Sequence, residues 1–146
     1  MKLFIYYSLS GNGDYVADYL KTRGFEIRKV IPKRGFKKAS FFNIFRGGFL
    51  AGIRYKNKLK DFDENIEGYD EIVIGSPIWN ARFSTPINTV LSKLDLKDKK
   101  VTFLFYAGSG EGPKVLKLVN KLYPEARVIF LKEPKSHPDE IRKLDY

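Results

Sequence analysis

Ser8, Leu9, Ser10, Gly11, Asn12 and Gly13 lie between an apolar run at residues 3–7 and a stretch of helical periodicity at 14–21. That order predicts a strand, a tight turn and the first turn of a helix. The first N–H groups of a helix have no acceptor within it, and the helix dipole adds positive potential at the same end. Two serine hydroxyls and a glycine-rich backbone converge with those amides on one small volume, and the guest that suits it is a phosphate. No Lys or Arg occurs between Leu3 and Leu20, so every donor in this stretch is neutral. This separates the turn from the G-x-x-x-x-G-K-[ST] loop, whose lysine serves nucleoside triphosphates, and its spacing also departs from G-x-G-x-x-G. An ordinary strand-to-helix connection uses the same residue types, with Ser10 forming the turn and Asn12 the N-cap. The two uses are compatible because both draw on the helix start.

Two further segments carry unusual residues. Gly75, Ser76, Pro77, Ile78, Trp79 and Asn80 follow an apolar run and include the only tryptophan of the chain. Ala107, Gly108, Ser109 and Gly110 follow another and lead into Glu111 and Gly112; the three glycines there let backbone approach a flat ligand closely. One segment offers phosphate donors, one an aromatic plane and one exposed amides. A planar ring with a phosphate tail fits all three.

The elements that must position these segments follow from alternating periodicities. Residues 3–7, 26–30, 71–75, 100–106 and 127–131 read as five strands, mostly continuous in hydrophobicity as buried parallel strands are. Residues 15–22, 39–53, 86–94 and 113–122 carry apolar residues at helical spacing, with Pro86 and Pro113 at helix starts and Thr85 as an N-cap. Residues 134–146 end in a short helix, and His137 is a loop residue without a catalytic role. The expectation is an α/β fold: a single domain over residues 1–146, three layers, and a doubly wound, five-stranded parallel sheet. In such sheets ligands bind beyond the carboxyl ends of the strands. All three unusual segments leave such ends.

The 39–53 helix places Phe41, Phe42, Phe45, Phe49 and Ile53 on one face, with Arg46 and Arg54 off it. A basic amphipathic helix can lie on a membrane, but this one falls where the second crossover must cover the sheet, and core packing uses the same stripe. Gly47, Gly48 and Gly52 weaken it locally.

Composition narrows the chemistry. With no cysteine, disulfides, thiolate nucleophiles and cysteine-held metals are excluded, and one histidine argues against a histidine metal site. Redox chemistry must belong to a bound organic cofactor. No apolar run approaches the ~20 residues that cross a bilayer, and residues 3–7 are too short for a signal-peptide core, so a cytoplasmic location is expected. The net charge of +10 is unevenly placed: residues 28–60 hold eleven Lys or Arg and no Asp or Glu, whereas the rest holds sixteen basic and seventeen acidic residues. That stretch suits an acidic protein or an anionic lipid surface, with nucleic acid last, or is simply a solvated face.

These segments together resemble the flavodoxin family. Residues 7–13 are similar to its FMN phosphate loop, 75–79 to its first flavin-flanking loop, and 107–112 to its second. The resemblance implies strand order 2-1-3-4-5, FMN as cofactor, and work as an electron carrier. It also implies cofactor contacts residue by residue. Ser8, Leu9, Ser10, Gly11, Asn12 and Gly13 would hold the phosphate. Pro77, Ile78, Trp79 and Asn80 would border one side of the isoalloxazine, and Ala107, Gly108, Ser109 and Gly110 the other. No catalytic residue and no metal ligand is implied. Many members place a tyrosine in the second loop, and this chain has no aromatic there. An open flavin face admits the alternative of an NAD(P)H-dependent FMN or quinone reductase. Many members are also acidic, so the basic 28–60 stretch points instead to an acidic redox partner such as a ferredoxin-like protein.

Overall fold

The structure, a computed structural model, describes residues 1–33 and 58–146. The helix expected at 39–53 lies outside the described residues. The chain runs β1 (Lys2–Tyr6), α1 (Asn12–Thr22), β2 (Phe25–Lys29), β3 (Glu71–Trp79), β4 (Arg82–Phe83), α2 (Thr85–Lys93), β5 (Lys100–Ala107), α3 (Pro113–Leu122), β6 (Arg127–Lys132) and a 3-10 helix (Pro138–Lys143). The sheet has six strands rather than five. Its parallel strands are ordered β2-β1-β3-β5-β6, and β4 pairs antiparallel with β3 off that path. Setting β4 aside, the five parallel strands follow the order the resemblance implies.

Continuous hydrophobicity in the strands reflects burial on both faces. Leu3, Ile5, Ile72, Ile74, Phe103 and Phe105 point into one core, covered by Ile87 and Val90 of α2 and Val115 and Val119 of α3. Alternate residues Phe4, Tyr6, Val73, Leu104 and Tyr106 point into the other, under Val16, Ala17 and Leu20 of α1. This period of two is the reason a strand with no polar face is stable only as the middle of three layers.

The extra strand corrects the expectation that 75–86 is a loop. β3 continues to Trp79 and turns back through Asn80 and Ala81, with φ of 49° and 59°. Positive φ at both central residues is the type I′ geometry, whose twist matches a two-residue hairpin. Ser76 closes the base: its Oγ accepts the Ser84 N–H at 3.0 Å and lies 3.0 Å from Ser84 Oγ. That pairing also overturns Thr85 as the N-cap. Ser84 holds the cap position with its hydroxyl turned to Ser76, and Thr85 is the first helical residue.

The tail lies beside α1. Leu144 is buried in the α1 core, the Tyr19 hydroxyl donates to the Leu144 carbonyl at 3.4 Å, and Tyr146 meets Phe25 edge-on. Glu140 fastens its start by accepting the Lys132 N–H at 2.8 Å and a bond from Lys143 Nζ at 2.6 Å. Those two donors, the amide first, hold the Glu140 carboxyl below the usual carboxylate range.

α1 meets the sheet at Gly13. A Cβ there would come within 2.6 Å of a Tyr6 ring carbon, 2.7 Å of the Tyr106 hydroxyl and 2.8 Å of Ser8 Cβ. Both rings are buried in the close-packed core, so neither has room to retreat. Gly13→Ala is expected to destabilise the protein by about 1–3 kcal/mol through overpacking, read from chemical denaturation. A depressed Glu140 pKa means that its contribution is present above about pH 4.3 and is lost as acid protonates it. The Lys132 amide resonance is therefore expected to titrate with a midpoint below that of an ordinary glutamate, and to lose that titration in Glu140→Gln.

Candidate functional site

The three unusual segments share one edge because β1, β3 and β5 are consecutive neighbours in the sheet. Tyr6 is level with Gly75, and Pro77 with Tyr106. The Tyr7 N–H donates to the Gly75 carbonyl at 3.1 Å, and the Tyr7 and Trp79 rings meet edge to face at 5.6 Å. On the other side, a Cβ at Gly112 would fall 2.8 Å from Ile78 Cδ1. Residues 8–13, 76–80 and 107–112 thus form one rim. Ser10, Asn80, Gly108 and Ser109 are exposed on it. Ser8, Leu9, Gly11, Asn12, Pro77, Ile78 and Gly110 are half-buried, and Gly13, Trp79 and Ala107 are buried.

Gly11, at φ 93°, occupies the N-cap of α1 and turns the chain into the helix. Only glycine adopts that backbone without strain. Ser8 Oγ accepts the N–H groups of Gly11 at 3.1 Å and of Gly13 at 3.0 Å. A hydroxyl has two lone pairs and one proton, so Ser8 is left with its O–H to give. The loop amides are therefore not all directed outward, as the sequence suggests. Two reach Ser8, and those of Leu9, Ser10 and Asn12 meet no acceptor among the described residues. Ser10 Oγ accepts from Asn12 Nδ2 at 3.2 Å. Three amides, one serine proton and the positive end of a helix are what an oxyanion requires.

The expectation of purely neutral donors is incomplete. Lys135 lies over the loop: its Nζ is 3.3 Å from the position of a Gly11 Cβ, and its backbone N–H donates to Asn12 Oδ1 at 3.1 Å. Asn12 is accordingly not the N-cap but the first helical residue, with its side chain tied to the tail. Nothing near Gly11 in the sequence announces Lys135. The signal lies in topology, since residue 135 follows the carboxyl end of β6 and such ends gather on one side of a parallel sheet. Tyr7, the edge contact of Trp79, falls in the 7–13 stretch but is not among the residues expected to touch the cofactor.

Charge around the rim is partly cancelled. Asp14, in the first turn of α1, receives bonds from Lys29 Nζ and the Tyr6 hydroxyl, each at 2.7 Å. Arg28 faces Glu26 at 3.2 Å and Asp63 at 3.4 Å. Among the described basic residues of 28–60, Arg28 and Lys29 are thus spent on ion pairs. Lys33, Lys58 and Lys60 are exposed where an isolated bridge between Pro32 and Leu59 joins the two described ends of that stretch. Burial raises the phenol pKa values of Tyr6, Tyr7 and Tyr106; the Asp14 carboxylate adds to the rise at Tyr6. All three stay neutral near pH 7 and are poor proton donors. No cluster of His, Cys, Asp and Glu among the described residues could hold a metal ion. No helix among them is long and apolar enough to cross a membrane.

Amides and a serine proton for an anion, beside a rim of aromatic, proline and glycine backbone for a flat ring, are a donor set that fits FMN. Solved proteins that share this fold include two flavoproteins and a quinone reductase. A flavoprotein from Bacteroides eggerthii is 23% identical, with TM-score 0.74 over 97% of each chain. A flavoprotein in complex with FMN from Lactobacillus acidophilus is 24% identical, with TM-score 0.66 over 88% of this chain and 89% of that one. A quinone reductase from Klebsiella pneumoniae is 11% identical, with TM-score 0.53 over 99% of this chain and 84% of that one. No curated protein sequence matches the chain. The family model described as Flavodoxin matches residues 1–141, and the chain accordingly belongs to the flavodoxin family of FMN-binding flavoproteins.

Proposed function

We propose that this FMN-binding protein is an electron carrier whose own residues hold and shield the cofactor and perform no covalent chemistry. FMN supplies reversible uptake of one or two electrons. The observation that carries the reading is the composition of the rim. The groups that converge there are amides, hydroxyls, aromatic rings and the Lys135 ammonium, and its buried phenols are kept neutral. In this reading Ser8, Leu9, Ser10, Gly11, Asn12 and Gly13 bind the phosphate. The hairpin bearing Pro77, Ile78, Trp79 and Asn80 orients the ring from one side, and Ala107, Gly108, Ser109 and Gly110 face it from the other. Trp79, only 8% exposed and braced by Tyr7, excludes water from its side of the site. Exposed Lys33, which follows the carboxyl end of β2, and Lys58 and Lys60, joined to it through the Pro32–Leu59 bridge, favour an acidic redox protein that docks beside the cofactor.

A second reading, an NAD(P)H-dependent FMN or quinone reductase, is favoured by the openness of the 107–112 segment. It holds no aromatic residue, and a Cβ at Gly108 would meet no atom within 4 Å. The backbone there leaves space that a second substrate ring could use.

Apoprotein titrated with FMN is expected to take up one equivalent with loss of Trp79 emission, which is unambiguous because the chain has no other tryptophan. Uptake without quenching would remove Trp79 from the flavin site. The holoprotein is expected to show negligible steady-state oxidation of NADPH with a quinone acceptor. Sustained turnover would replace the carrier with the reductase.

A further inference from the structure

Lys135 stands out among the described lysines because its position is fixed while its charge is not used. The tail that carries it is pinned on both sides. Pro134 is buried, the N–H groups of Ser136 and His137 donate to the Glu133 carbonyl at 2.8 and 3.0 Å, and Glu133 takes φ 38° to make the turn. Its own backbone N–H is tied to Asn12. These bonds deliver the side chain across the loop, with Nζ, Cδ and Cε at 3.3, 3.5 and 3.8 Å from the Cβ position of Gly11.

The ammonium has no acidic partner there. Lys29, Lys93, Lys100 and Lys143 each face a carboxylate within 4.0 Å, whereas no carboxylate comes so close to Lys135 among the described residues. Asp14 in the first turn of α1 is engaged by Lys29 and Tyr6, and Glu140 of the 3-10 helix by the Lys132 amide and Lys143. A cation held over unpaired amides at a helix start is a site for an anion of about two negative charges.

We propose that Lys135 is a specificity residue of the cofactor site: its ammonium pairs with the FMN phosphate in the 8–13 loop and makes the protein prefer phosphorylated over unphosphorylated flavin. The proposal rests on reading 8–13 as the phosphate loop. A bond to a dianion is charge-assisted and stronger than the neutral donors supply, but solvent around an exposed lysine screens part of it. The expected preference is therefore moderate and sensitive to salt.

The test titrates wild type, Lys135→Gln and Lys135→Arg with FMN and with riboflavin by calorimetry, at about 20 and 500 mM salt. Lys135→Gln is expected to weaken FMN binding by about three- to tenfold at low salt, to leave riboflavin binding unchanged and to lose most of the salt dependence. Lys135→Arg should keep most of the FMN affinity. Equal weakening of both flavins by Lys135→Gln would assign Lys135 to holding the tail, and unchanged FMN binding would leave it no role; either result overturns the proposal. Wild type that binds riboflavin as tightly as FMN would refute the phosphate loop and the proposal while leaving flavin binding intact. Wild type that binds neither flavin would overturn the cofactor reading itself.

Discussion

The close approach of α1 to the sheet at Gly13 is the constraint on which the site depends. With no side chain there, the first helical turn lies directly on the rings of Tyr6 and Tyr106. Tyr106 also bears on Gly75: its hydroxyl and the Phe4 ring press against the place where a Gly75 side chain would be, and Phe4 stacks on Tyr6 at 4.9 Å. Two glycines and three aromatic rings therefore set the height of the helix over β1, β3 and β5. A helix that stood farther off would carry its amides away from the rim, since Ser8, Gly11 and Gly13 are linked by hydrogen bonds as one unit.

Much of this was legible in the sequence because it follows from local rules. Apolar continuity located the five parallel strands, helical spacing located α1, α2 and α3, and the proline at residue 113 marked a helix start to the residue. The turn at 8–13 declared itself by hydroxyls, glycines and position. What escaped depends on partners distant in sequence or on backbone that breaks a rule. The β3 to β4 hairpin puts Asn80 and Ala81 at positive φ, where alanine is uncommon, so no glycine betrayed the turn. Ser84 rather than Thr85 takes the cap position, its backbone still extended and its hydroxyl turned to a tertiary partner in Ser76. Lys135 lies 123 residues from the side chain its backbone binds, beyond the reach of any pattern reading.

The electrostatics combine a strongly basic chain with a neutral pocket floor. Ion pairs cancel Arg28, Lys29 and Asp14 close to the sheet, while Lys33, Lys58 and Lys60 stay in solvent. Next to the ligand loop Lys29 and Asp14 cancel one another and Lys135 keeps its charge, while the outlying lysines can act at a distance. Steering by such outlying lysines raises encounter rates without altering the chemistry of the site, and weakens with ionic strength.

The bond between Asn12 and Lys135 also bears on biosynthesis. Asn12 leaves the ribosome early, with most of the sheet still to be translated, and its acceptor oxygen finds its amide only after β6 has paired with β5. Parallel strands and a clasp of such long range are made late and slowly, because the intervening chain must first be brought together. The anion loop therefore lacks its Lys135 clasp until the segment after β6 has been made.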